Sequence, residues 1–269
     1  MKMETCIVWT GRHKCGMIIM ELYTPRHGVK MEKHNARIKI SHLSYFILVM
    51  EILVVKNGLI SRTNGPAAIT YYNNGNIRTE KWCKDGKVHR SDGNKLATVI
   101  YYENGVIKDL LWYKDGMLHR TNGEPACISY YENGNIERKE WYENGKKYQY
   151  TDKPTCIMYY NNGNIKREVR YEHDKLHRIC APAIITYYKD GQIDEEMWYN
   201  NGELHRSGGA SAKITHFKNG QIETEEWYID GKLHRPNGGP AYIAYFENGI
   251  VKEEKWYKDG KLHRHIVNA

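Results

Sequence analysis

From about residue 54 to residue 264 the apolar positions recur in short alternating runs, punctuated by Asn-Gly and Asp-Gly dipeptides. A period of two marks a half-buried strand, so each run reads as a strand and each dipeptide as a reversal. Gly75, Gly105, Gly134, Gly163, Gly191, Gly220 and Gly249 follow one another at 28 to 30 residues. Eleven residues behind runs a second series, Gly86, Gly116, Gly145, Gly202, Gly231 and Gly260, with Asp174 in the fourth place. Between these marks the text repeats as P-A-x-I-x-Y-Y-x-N-G-x-I-x-x-E-x-W-Y-x-D-G-K-L-H-R, most cleanly over residues 240–264. About seven copies, with an incomplete one at 54–62, predict an all-β protein built as an elongated antiparallel β-hairpin repeat array, a meander or solenoid of stacked units.

Asn-Gly and Asp-Gly favour a two-residue type I′ loop, because that turn needs positive φ at both central residues. On this reading Tyr72 faces Ile77, Ile69 faces Glu80 and Ala67 faces Trp82 across Asn74-Gly75. Ala faces Trp again at 97/112, 126/141, 183/198, 212/227 and 241/256, a small residue making room for a large one. The fourth copy changes both members together, to Thr155 and Arg170. Across Asp85-Gly86, Trp82 faces His89, and the same pairing recurs at 112/119, 198/205, 227/234 and 256/263, while Tyr148 stands opposite Trp141. Stacking the copies predicts a structural ladder of Trp82, Trp112, Trp141, Trp198, Trp227 and Trp256 beside His89, His119, His205, His234 and His263.

Residues 1–46 lack the pattern and are expected to be poorly ordered or a loose cap, which leaves 47–269 as the repeat domain. The most apolar stretch, 45–55, is about eleven residues long and contains Glu51, short of the ~20 a membrane-spanning helix needs. The chain carries 22 Tyr and 7 Trp against 3 Phe, large side chains with polar tips that suit a thin, half-wet sheet. Its net charge of +8 sits mainly in residues 1–60, where nine Lys/Arg face four Asp/Glu. The repeats themselves are close to neutral, which argues against a nucleic-acid groove along them.

The six cysteines form no C-x-x-C pair. Cys127 and Cys156 share a slot in adjacent copies, ~9–10 Å apart if two strand spacings separate them. That exceeds the ~7 Å Cα limit for a disulfide, so reduced thiols and a cytoplasmic setting are expected. Same-slot histidines are likewise ~10 Å apart, too far to share a zinc with ~2 Å bonds. They read as packing on Trp, with the following Arg pairing to repeat carboxylates. Glu80, Glu168, Glu196, Glu225 and Glu254 recur as a sheet position, whereas catalysis needs one convergent, unequal set. No phosphate-loop, nucleophile-elbow or H-E-x-x-H motif occurs. No catalytic residue, metal or cofactor is expected.

The run W-Y-x-D-G-x-L-H-R-x-x-G-x-P-A-x-I-x-Y-Y-x-N-G resembles the MORN-variant class of repeats over residues 54–264. More closely, it is similar to H-R-x-x-G-P-A repeat proteins of giant DNA viruses, which would place the chain in the host cytoplasm. The resemblance implies protein-interaction or membrane-associated scaffold roles, with bacterial relatives likened to antitoxins, and carries over no catalytic residue. The expected function is a non-enzymatic scaffold for a partner protein. The alternative is a peripheral module for an anionic membrane or phosphoinositide surface, helped by Lys30, Lys33, Arg37 and Lys39. The degenerate fourth copy, with Tyr148, Thr155 and Arg170, is the candidate interaction site.

Overall fold

The computed structural model describes residues 6–13, 16–22, 51–56, 59–147 and 153–268. Among them every regular element is a β-strand, apart from two single 3-10 turns at Ser91–Gly93 and Ser207–Gly209. The chain is an all-β array of consecutive antiparallel hairpins, and it divides into two compact units, Met1–Gly116 and Met117–Ala269.

In the first unit, Glu51–Lys56 pairs with Ala68–Tyr71, which pairs with Ile77–Lys81, then Leu96–Tyr101, then Ile107–Lys114. Cys6–His13 pairs with the other side of Glu51–Lys56 and with Gly16–Leu22. In the second unit the same succession runs from Cys127–Tyr130 and Ile136–Glu140 through to Val251–Lys258. Lys261–Val267 then pairs with Val251–Lys258, where a further copy's Ala strand would lie.

The two kinds of Gly turn differ, which corrects the uniform type I′ expectation. At the tips of the second glycine series both residues have positive φ, 50° and 79° at Asp85 and Gly86 and 47° and 74° at Asp230 and Gly231, and Asn144 and Asn201 are left-handed at 49° like the Asp residues. These tips are type I′. At the turns of the first glycine series, Asp190-Gly191 included, only the glycine is left-handed, at 87° for Gly75. There the Tyr72 N–H donates to the Asn76 carbonyl at 2.8 Å and the Gly75 N–H to the Tyr72 carbonyl at 2.9 Å. That pattern is a three-residue loop ending in a left-handed glycine, and Asn74 Oδ1 braces it by accepting the Asn76 N–H at 2.9 Å.

The longer loop moves Tyr71, not Tyr72, opposite Ile77, and a bulge at Arg78 restores Thr70 to Thr79 and Ile69 to Glu80. The same shift recurs at Tyr130, Tyr159, Tyr187, His216 and Tyr245. Two one-residue offsets cancel, so the expected register away from the turn survives.

The Ala67–Trp82 pairing is corrected more deeply. The Ala67 N–H donates to the Lys81 carbonyl at 2.7 Å, while the Trp82 N–H turns outward to Ala97 of the next copy at 2.9 Å. Trp198 reaches Ala212, and Trp227 reaches Ala241, in the same way at 2.8 Å. Trp82, Trp198 and Trp227 therefore meet the alanine of the following copy, and Trp141 meets Thr155 at 3.0 Å. Ala67, Ala97, Ala126, Ala183, Ala212 and Ala241 are all 0% exposed, which is why the slot takes a residue with nothing beyond Cβ.

Nor does the whole repeat form one meander. The hairpins of the first glycine series make the main sheet, whereas most of those at the second series are separate two-stranded ribbons, such as Tyr171–Glu172 with Lys175–Leu176 and Tyr228–Ile229 with Lys232–Leu233. Each ribbon tip hangs on the preceding copy. The Gly86, Gly145, Gly202, Gly231 and Gly260 amides donate to the carbonyls of Ile60, Leu118, Leu176, Leu204 and Leu233 at 2.8–3.0 Å. At the other end of the repeat, the hydroxyls of Tyr72, Tyr131, Tyr160 and Tyr188 donate to the next copy's Tyr101, Tyr159, Tyr187 and His216 carbonyls at 2.7 Å.

Candidate interaction surface

Side chains alternate across the sheet, and in the second unit its two faces differ. On one face Cys156, Val169 and Ile184 are buried and pack with Met158, Met197 and the ribbon residues Tyr171, Leu176 and Tyr199. On the other, the register runs Ile157, Glu168, Ile185, Glu196, Ile214, Glu225, all half-buried. Isoleucine and glutamate alternate strand by strand, so like residues recur every two strand spacings, ~9–10 Å.

Several of the carboxylates are already engaged, Glu80 and Glu225 by hydroxyls, Glu168 by Arg170 and Glu196 by His216 at 4.0 Å. Glu80 accepts from the Tyr101 hydroxyl at 2.7 Å, and Glu225 from Ser211 at 3.0 Å and Tyr245 at 2.9 Å. Burial, then these bonds, push both Tyr101 and Tyr245 up to about 12. An ion pair of the expected kind occurs at Glu168, but with Arg170 on the same strand at 3.0 Å.

Around Trp82, Trp198, Trp227 and Trp256 the H-R pair has a definite task. The His89, His205 and His234 amides donate to the carbonyls of Trp82, Trp198 and Trp227 at 3.0 Å, in the expected register. Arg90, Arg206, Arg235 and Arg264 lie over the rings of Trp82, Trp198, Trp227 and Trp256 at 4.4, 3.8, 3.9 and 4.7 Å. Their guanidiniums also hold the loop ahead of the next Ala strand, Arg206 donating to the Ser211 carbonyl at 3.1 Å and Arg235 to Pro240 at 3.2 Å. This replaces the carboxylate pairing expected of these arginines. Trp112, Trp198, Trp227 and His119 are buried, Trp82, Trp141, Trp256, His89, His205 and His234 half-buried, and His263 exposed. Trp141 and Trp227 donate Nε1–H to the Gly123 and Gly209 carbonyls at 2.9 and 3.0 Å.

In the fourth copy Thr155 is 0% and Arg170 6% exposed. Thr155 Oγ1 donates to the Val169 carbonyl at 3.1 Å and accepts the Tyr171 N–H at 3.2 Å. Both side chains serve the interior, so a partner meets neither without rearrangement. Tyr148 lies outside the described residues, as do Gln149 and residues 23–50 with their basic side chains.

Cys127 and Cys156 share a row with Glu140 between them, Cys127 facing Glu140 and Glu140 facing Cys156. Burial, followed by the Glu140 charge, raises the Cys156 thiol to about 11, and burial raises Cys83 as well. Cys180 is exposed. Residue-resolved alkylation of the native chain near pH 8 should modify Cys180 at least ~100-fold faster than Cys156. Comparable rates would mean that the core around Cys156 opens readily.

The fold and these side chains define a β-hairpin repeat protein whose recurring groups are spent on holding copies together. The sequence model of the MORN repeat variant family matches residues 155–173, from the Thr155 slot to the ribbon tip of the fourth copy. The repeats are therefore MORN-like, and repeats of this kind are generally protein- or membrane-interaction modules. No curated protein matches the chain significantly.

Proposed function

We propose that the chain is a non-enzymatic scaffold on which a partner protein docks across the half-buried Ile/Glu face. The observation that carries this reading is the alternation of Ile157, Glu168, Ile185, Glu196, Ile214 and Glu225 along that face, an apolar and acidic surface with no convergent, unequal set of groups on it. A regular two-strand repeat suits an extended partner with apolar and basic positions, which gains contacts by length rather than through one deep pocket.

A photo-crosslinking residue placed at Ile185 or Ile214 in the native cell should capture one recurrent protein, and the same residue at the ribbon position Lys232 should not. Equal capture from all three positions, or none from any, would sink the proposal. Sedimentation with anionic vesicles separates the membrane reading. Recovery that falls as salt screens the surface potential would favour it, and equal recovery with neutral and anionic vesicles would remove it.

A further inference from the structure

Five tips of the second glycine series make a second bond to the preceding copy that nothing in the repeat text announces. The backbone N–H of Asp115, Asn144, Asn201, Asp230 and Asp259 points at Nδ1 of His89, His119, His177, His205 and His234, at 3.2, 3.2, 3.2, 3.4 and 3.3 Å. An amide can only donate, so wherever this bond is made Nδ1 is bare and the proton sits on Nε2; at His205 the same Nδ1 also faces the Asp230 carboxylate at 3.1 Å, which an Nδ1–H would serve instead. Protonation would set two N–H groups against each other.

The five joints are unequal under that change. At Asp115, Asp230 and Asp259 the tip's own carboxylate lies 3.3, 3.1 and 3.4 Å from the same Nδ1, so a proton arriving there exchanges one bond for an ion pair. At Asn201 the tip has no carboxylate, but Glu172 lies 3.3 Å from His177 Nε2 and balances a charged ring. The joint between His119 and Asn144 has neither. His119 is also the most buried of the ladder histidines, at 5% exposed, and its charged form would be the most costly to desolvate. The cleft beside it holds Arg120, Glu124, Tyr142 and Glu143. Among the described residues, neither glutamate comes within ion-pair range of the His119 ring.

We infer that the His119–Asn144 joint is a proton-sensitive seam within the second unit, closed at neutral pH and loosened when His119 takes a proton. The neighbouring bond from the Gly145 amide to the Leu118 carbonyl, 2.9 Å, belongs to the same tip and loosens with it. The Asp-tipped joints hold over the same range, so acid selects one position in the array rather than softening all of it. The inference stands independently of which partner the Ile/Glu face binds.

Amide exchange of the full chain, corrected for the intrinsic pH dependence of exchange, tests it between about pH 7.5 and 5.5, where imidazoles charge. Protection at Asn144 and Gly145 should fall by roughly tenfold or more, the loss of about one to two hydrogen bonds. Protection at Asp230, Gly231, Asp259 and Gly260 should change by less than about threefold. Asn144→Asp should keep the tip protected at the lower pH, and His119→Phe should leave it equally unprotected at both. Nitrogen shifts of the His119 ring at the higher pH should report the Nε2–H tautomer. Unchanged protection at Asn144, an equal fall at the Asp tips, an unprotected tip in Asn144→Asp, or an Nδ1–H tautomer would each overturn the inference.

Discussion

Trp227→Ala should destabilise the second unit by about 3–5 kcal/mol, the range for emptying a buried tryptophan site. Trp227 is 5% exposed and packs with Ala241, Ile243, Tyr245, Val251 and Tyr257. The substitution also removes the surface on which the Arg235 guanidinium lies, 3.9 Å above the ring, and the donor to the Gly209 carbonyl at 3.0 Å. Arg235 would keep its bond to Pro240 but lose the platform that orients it. In an array stabilised by nearest neighbours the loss should be local first, so amide protection around 204–245 should fall before that around 127–170. Thermal denaturation should show a drop of roughly 10 °C for a unit of this size. Trp227→Phe, which keeps most of the packing and loses the indole donor, should sit well inside that loss. A melting temperature unchanged in Trp227→Ala would mean that the Trp–Ala contact between copies does not hold the array.

Arg170→Ala should cost about 3 kcal/mol, because it strands a carboxylate that is largely withdrawn from water. The Arg170 and Glu168 side chains are 7% and 16% exposed and meet at 3.0 Å. Most of that cost is the unpaired Glu168 charge rather than the net worth of the pair. Adding Glu168→Gln should therefore recover a large part of it, and a double-mutant cycle measures the difference. If Arg170→Ala alone leaves stability within about 0.5 kcal/mol of the parent, the pair is not an interior element. In the fourth copy Thr155 Oγ1 donates to the Val169 carbonyl and accepts the Tyr171 N–H, while Arg170 pairs with Glu168. The Trp141 amide reaches Thr155 and the Arg170 amide reaches Ala183, so the two changes serve different junctions between copies.

How much of this was legible depends on how local the cause is. The hairpins and their period follow from turn residues and a period of two, which act over four to eight residues. The pairing of Ile69 with Glu80 followed as well, although it rested on a two-residue loop that the protein does not use. The dipeptide does not choose the turn, since Asn74-Gly75 closes a three-residue loop and Asn144-Gly145 a type I′ tip. The longer loop is held by bonds such as the Asn76 amide to Asn74 Oδ1 and the Tyr72 N–H to the Asn76 carbonyl. The bulge at Arg78 has no signature in the text and was found only in the register.

The period, the all-β class and the positions of the reversals were settled by sequence alone, since each depends on residue type at short range. Tertiary structure decided where the freed backbone groups go. The Trp82 amide reaches Ala97, the Gly86 amide reaches Ile60 and the Asn144 amide reaches His119 Nδ1, over separations of 15 to 26 residues. Each of those amides would be equally well served by water or by its own hairpin in an isolated copy. Only a neighbouring copy, placed by sheet pairing and by the fully buried alanine slot, excludes that water and makes one partner the best available.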